Sequence, residues 1–230
     1  MIKIQEEREG FIKFDKKFIQ EKQTKNRLLL IMAYLKIYAS VSGHVGVSIN
    51  LLVNKIGYKP DRHVGKINEK TIDLLKDLET KGHLYILTVT DELNSNECFI
   101  AQINSASDLF YPEKDYVLLT ENEFTTITQS KVKCDKQDLL NVYLNIKKFI
   151  NMGKDSDKLC YPSHTTLCRD CKISSTGTMN KIIDALIVMG VLFTYNSGRY
   201  EDGKGNLRFA NSFYALEDGV LKPEKCDEII

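Results

Sequence analysis

Leu74-Leu75-x-x-Leu78-x-x-x-Gly82-x-Leu84 recurs about 108 residues further on as Ile182-Ile183-x-x-Leu186-x-x-x-Gly190-x-Leu192. Upstream, Leu30-Ile31-x-x-Tyr34-Leu35-x-Ile37 is answered by Leu139-Leu140-x-x-Tyr143-Leu144-x-Ile146 at nearly the same offset. Two separated segments that share one offset describe one small domain used twice, because self-similarity at a fixed period constrains the whole architecture. The division expected is a first domain over 11–103, a second over 104–217, and a C-terminal tail over 218–230.

The bulk composition limits what these domains are. At 230 residues the chain has room for two cores of about 100 residues each. Hydrophobic content of 43% with charged content of 27% describes an ordinary globular protein. The opening MIKIQEEREG has no apolar run of the signal-peptide kind, and the apolar stretch from Leu28 to Leu35 is too short to span a bilayer. A cytoplasmic protein with no membrane partner is the expectation. Six cysteines at irregular spacing read as reduced thiols rather than a disulfide framework. A net charge of +1 carries no nucleic-acid signal by itself.

Hydrophobic periodicity then predicts the same order of elements in each copy. In the first, residues 10–15 alternate as a short strand. Residues 26–39 are apolar on all sides, as the central helix of a small core requires. Ser48 caps a brief helix ending at Gly57, and Lys59-Pro60-Asp61 breaks the chain. Ile67, Thr71, Leu74, Leu75 and Leu78 recur at helical spacing up to Gly82. Residues 83–89 and 97–103 read as a hairpin around the loop TDELNSN. In the second copy, a strand at 116–119 and a short helix at 121–130 precede an apolar helix at 136–151. Ser163 begins a brief helix to Arg169, and Ser174 or Ser175 caps a third that ends near Met189. Residues 191–195 and 208–216 close the unit as a hairpin joined by NSGRYEDGKGN. The expected fold class is α+β and mostly helical, with two tandem domains that each have a three-helix core and a β-hairpin.

The string Tyr161-Pro162-Ser163-x-x-x-Leu167-x-x-x-x-x-Ile173-Ser174-x-x-x-Thr178 resembles the helix-turn-helix segment of bacterial winged-helix regulators and replication initiators. The return strand from Asn211 through Tyr214 to Leu216 is similar to the strand that ends plasmid and phage initiator proteins. Two such domains in tandem resemble the initiators of plasmids and integrative elements. The likeness covers most of 136–216 and, more loosely, 26–103. Lys172 stands where the family's turn has Gly, Cys168 where its first helix has Ala, and the first copy has a longer turn containing Pro60.

The resemblance implies two winged-helix domains that place the third helix in the major groove. Ser174, Ser175, Thr176, Asn180 and Lys181 would then meet base edges or phosphates, since Asn pairs bidentately with adenine while hydroxyls mostly fix the backbone. Arg199, Lys204 and Arg208 in the hairpin would follow a phosphate track. The parallel set in the first copy is Lys59, Arg62, His63, Lys66, Asn68 and Lys70, while Asp91, Glu92 and Glu97 in its hairpin would repel phosphate. Each of these side chains has a plainer reading as part of a solvated helix face, and winged helices also serve as protein-docking modules.

Other chemistries fit less well. Cys160, His164, Cys168 and Cys171 could in principle ligate zinc, yet Cys168 and Cys171 fall at positions where a helix-turn-helix packs its core, and free cysteine is a buried residue type. Gly57 to Ile67 lacks the spacing and the hydroxyl of a phosphate-binding loop. No nucleophile elbow occurs, so neither an enzyme nor a cofactor is expected. The reading that follows is sequence-specific binding of double-stranded DNA at the replication origin of a plasmid or mobile element, with self-association on the DNA and contact with replication proteins. The alternatives are a transcriptional regulator and a docking module of replication or segregation machinery.

Overall fold

A computed structural model describes residues 10–21, 27–88, 93–150, 158–196, 198–201, 207–209, 212–217 and 219–221. The chain is α+β, with eight helices and small antiparallel sheets among those residues. It divides into two compact units, and neither is one uninterrupted stretch: unit 1 is 1–15 with 26–130, and unit 2 is 16–25 with 131–230. The repeat alone places the boundary at 103/104, whereas by contact residues 104–130 fall in unit 1.

Unit 1 begins with β1 (Phe11–Asp15), which pairs antiparallel with β5 (Tyr116–Thr120), Lys13 opposite Leu118. The buried residues of β1 are Ile12 and Phe14, as its alternation requires. At its entrance Gly10 lies so close to the end of the central helix that a Cβ would stand 2.6 Å from the Ile37 carbonyl oxygen. That helix, α2 (Leu28–Ile37), is buried from Leu29 through Leu35 without a break. Around it are β2 (His44–Ser48), α3 (Ile49–Lys55), α4 (Ile67–Thr80), β3 (Leu84–Leu87) and β4 (Cys98–Ile103), the strands forming one antiparallel sheet in the order β2-β4-β3. The short α5 (Glu121–Thr128) follows β5 through a capping box between Thr120 and Glu123. Beyond its end Gln129 donates to the Lys55 carbonyl, which α3 leaves without a helical partner.

Unit 2 repeats the order. α1 (Lys16–Glu21) packs on α6 (Lys136–Phe149), whose N-cap Asp135 accepts from the Gln137 and Asp138 amides. β6 (Leu159–Cys160), α7 (His164–Cys171), α8 (Thr176–Val188), β7 (Phe193–Tyr195) and β10 (Phe213–Ala215) follow, with sheet order β6-β10-β7. Between β7 and β10 a further pair, β8 (Arg199–Glu201) and β9 (Leu207–Phe209), extends the hairpin. The periodicity did not predict α1, β2 or β6, nor the split of the closing hairpin into two paired sections. Its remaining elements lie within a few residues of the predicted bounds. No helix among the described residues is long and apolar enough to cross a membrane.

The repeated Leu-x-x-x-Gly-x-Leu has a local physical meaning. Gly82 and Gly190 sit at positive φ, 74° and 70°, directly after the C-caps of α4 and α8. The His83 amide donates to the Leu78 carbonyl and the Gly82 amide to Glu79; the Val191 amide donates to Leu186 and the Gly190 amide to Ile187. Both ends are therefore Schellman motifs, which satisfy carbonyls that the helix leaves open and turn the chain into the next strand. Leu78, Leu84, Leu186 and Leu192, all buried, clamp each motif to its core. Each such burial contributes about 1.5–3 kcal/mol.

Gly10→Ala is expected to destabilise the protein by about 1–3 kcal/mol, the usual range for an overpacked site. Gly46→Ala in the middle of β2, where a Cβ meets nothing within 4 Å, should cost no stability and raise it by up to about 1 kcal/mol. Urea unfolding of the two variants checks the contrast.

Candidate nucleic-acid interface

α8 carries its sequence pattern on two faces. Met179, Ile182, Ile183 and Leu186 are buried, while Thr176, Asn180 and Lys181 are exposed together with Gly177, Thr178 and Asp184. Ser174 and Ser175 precede the helix and are exposed; Ser175 is the cap, its hydroxyl accepting from the Thr178 amide at 3.1 Å. The five residues predicted on this segment are thus brought to one helix end.

The turn that aims α8 is fixed from below. Lys172 takes the left-handed conformation, φ 54°, at the place where the first copy has Gly57, φ 89°. Its amide donates to Arg169, and that of Ile173 donates to Cys168. From α6, Asn141 donates to the Cys171 carbonyl at 3.1 Å, and Asn145 donates to the Asn141 side-chain oxygen at 2.9 Å. Beside them Lys148 forms a buried ion pair with Asp170 at 3.3 Å and donates to Asn145 at 3.1 Å. Arg169 Nε also donates to Asp170 Oδ1 at 3.1 Å, so it is removal of Asp170 that strands the buried Lys148 charge, a loss of about 3–5 kcal/mol. Sequence periodicity gave no sign of these polar residues on the inner side of α6.

On the other side of α8 the Cys134 thiol donates to the Lys181 carbonyl at 3.8 Å. The exposed Lys131 and Lys133 belong to that same segment and add cations that the motif did not include. In the hairpin, Arg199 is exposed on β8 and Arg208 lies on β9, while Lys204 falls outside the described residues.

In unit 1, Lys59, Arg62, His63, Lys66 and Lys70 are exposed around the connection from α3 to α4. Asp61 holds His63 through its Oδ1, which lies 2.7 Å from Nδ1 and also accepts the His63 amide. These bonds to His63 keep the Asp61 carboxyl below its ordinary range. Glu69 accepts the Gly65 amide. Asn68 departs from expectation: it is 1% exposed. Its Oδ1 accepts from the Asp61 amide, and its Nδ2 donates to Asn50 and Ser95. With its amide protons used and its surface covered, Asn68 does not face a groove. Of the acidic residues in this hairpin Glu97 is exposed, and Asp91 and Glu92 lie outside the described residues.

Of the four possible zinc ligands three are engaged or buried separately, and the fourth, Cys168, is a half-buried free thiol. The Cys160 thiol donates to the Ile146 carbonyl, Cys171 is buried, and His164 Nε2 meets the Tyr214 hydroxyl at 2.9 Å. Among the described residues no three metal-ligating side chains gather. Burial pushes Cys160 up to about 12 and raises Cys171 further, and it pushes Tyr214 up to about 12. No family model matches the chain, and no curated protein matches it.

An acid whose folded pKa is raised keeps its proton in the folded chain at a pH where the unfolded chain releases it. Its contribution is complete below the unfolded value, 9.0 for the thiols, and is lost as the pH rises toward the folded values. Unit 2 is therefore expected to lose stability as the pH rises above the ordinary thiol value. Alkylation followed by mass spectrometry should label exposed Cys98 at neutral pH and reach Cys160 and Cys171 only as alkali opens unit 2.

Proposed function

We propose that the chain is a non-enzymatic, sequence-specific DNA-binding protein of two tandem winged-helix units, acting as a replication initiator of a plasmid or mobile element. The observation that carries this reading is a two-faced helix used twice. α8 buries an apolar stripe and leaves hydroxyl, amide and ammonium groups at its N-terminal end, and α4 buries Leu75 and Leu78 beneath exposed Lys66 and Lys70. Each helix follows a helix-turn connection and precedes a hairpin, the order in which winged helices present a recognition helix.

Its target is double-stranded DNA. Bound copies self-associate along an origin and position replication proteins there. With a net charge of +1 the affinity of one surface for phosphate is modest, so two linked surfaces supply it through effective concentration. Gly177 supports this reading as well. It is exposed on the first turn of α8, a Cβ there meets nothing within 4 Å, and its φ is not positive. Glycine in a helix is about 0.5–1 kcal/mol less favourable than alanine, and nothing among the described residues of the unit calls for it. Close approach of the helix backbone to a ligand accounts for it.

Binding of the purified protein to DNA fragments flanking its own gene, at two salt concentrations, tests the reading. Salt-sensitive binding to direct repeats is the expected result. An inverted repeat over a promoter would make the protein a regulator, and no binding even at low salt would leave protein docking. Asn180→Ala and Lys181→Ala should each weaken specific binding, by roughly 1–3 kcal/mol where a base contact is lost, with unchanged melting temperature because both residues are exposed. Gly177→Ala should raise the melting temperature yet lower affinity, measurable by fluorescence anisotropy.

A further inference from the structure

Asn68 occupies the first turn of α4, and three segments of unit 1 meet on its amide. One is the α3–α4 connection, whose Asp61 amide donates to Oδ1 at 3.1 Å. A backbone N–H can only donate, so the oxygen must lie on that side and the two amide protons on the other. Those protons go to Asn50 Oδ1 at 2.8 Å, at the start of α3, and to the Ser95 hydroxyl at 3.2 Å, in the β3–β4 loop. The second and third segments are also joined directly. The Asn50 amide donates to the Ser95 carbonyl at 3.2 Å, and its side chain donates to Asn96 Oδ1 at 2.9 Å. The Arg62 guanidinium donates to that same Asn96 oxygen, so this cation braces the loop.

We propose that Asn68 is a positioning residue that ties the β3–β4 loop to the α3–α4 connection, so that unit 1 meets DNA with one preset surface. The inference rests on the DNA-binding reading and deepens it. Lys59, Lys66 and Lys70 stand on segments whose geometry this amide sets, and presetting that geometry removes an ordering cost from binding. Specific binding, which needs register, depends on the tie. Non-specific attraction to phosphate depends on charge, which Asn68 does not carry.

Asn68→Ala in the full chain is tested in two ways. Without DNA, amide exchange at Asn50 and Asp61 should accelerate at least about tenfold relative to wild type, a loss of roughly 1.4 kcal/mol of local protection. With DNA, the ratio of affinity for the preferred fragment to that for an unrelated duplex should fall about tenfold, while affinity for the unrelated duplex stays constant. Leu78→Ala, which weakens the core of unit 1, is the control: it should lower stability and leave that ratio intact. Unchanged exchange at Asn50 and Asp61 overturns the tie itself. Accelerated exchange with an unchanged ratio overturns its part in binding. A wild-type chain that prefers no duplex sinks the DNA reading, and the positioning role with it.

Discussion

A helix with no solvent-facing side exists only inside a shell, and α2 and α6 impose that condition on their units. Along α2 every residue from Leu29 to Leu35 is buried, and along α6 the unbroken buried run extends from Leu139 to Ile146. Each must be enclosed by the other helices and strands of its unit. The enclosing helices can then afford only one apolar stripe each, which leaves α4 and α8 with a polar face. The faces read as DNA-contacting are thus a by-product of how each core closes.

Helix ends carry the next level of order. Hydroxyl caps at Ser48, Ser163 and Ser175 fix where α3, α7 and α8 begin. At their far ends α3, α4 and α8 turn through glycine, and α7 turns through Lys172. A lysine in the left-handed region gives up about 1–2 kcal/mol relative to a right-handed residue. The bond from Asn141 to the last carbonyl of α7 helps hold the chain in that conformation. The two units thus reach similar turns by different means, glycine in one and a buried asparagine beneath the turn in the other.

The polar locks differ in the same way. Counted by the 108-residue offset, Asn68 corresponds to Thr176, and the two positions have opposite environments: Asn68 is buried beneath the β3–β4 loop and Thr176 is exposed. Helical phase is identical at both positions. What separates them is whether a distant loop folds over the helix, and the offset contains no information about that.

Much of the architecture was legible in the chain. The buried helices, the glycines after α4 and α8, the serine caps and the main strands follow from 3.6- and 2-residue periods and from turn chemistry, all of which act over a few neighbouring residues. Lys59, Lys66, Lys70, Asn180 and Lys181 were legible as exposed for the same reason. The tertiary structure alone decided the pairing of β1 with β5, the membership of α1 in unit 2, the convergence of Asn50, Asn68, Ser95 and Asn96, and the buried pair of Lys148 with Asp170. These contacts join residues far apart in sequence. A hydrogen bond depends on where two atoms end up, and one-dimensional spacing does not encode that position.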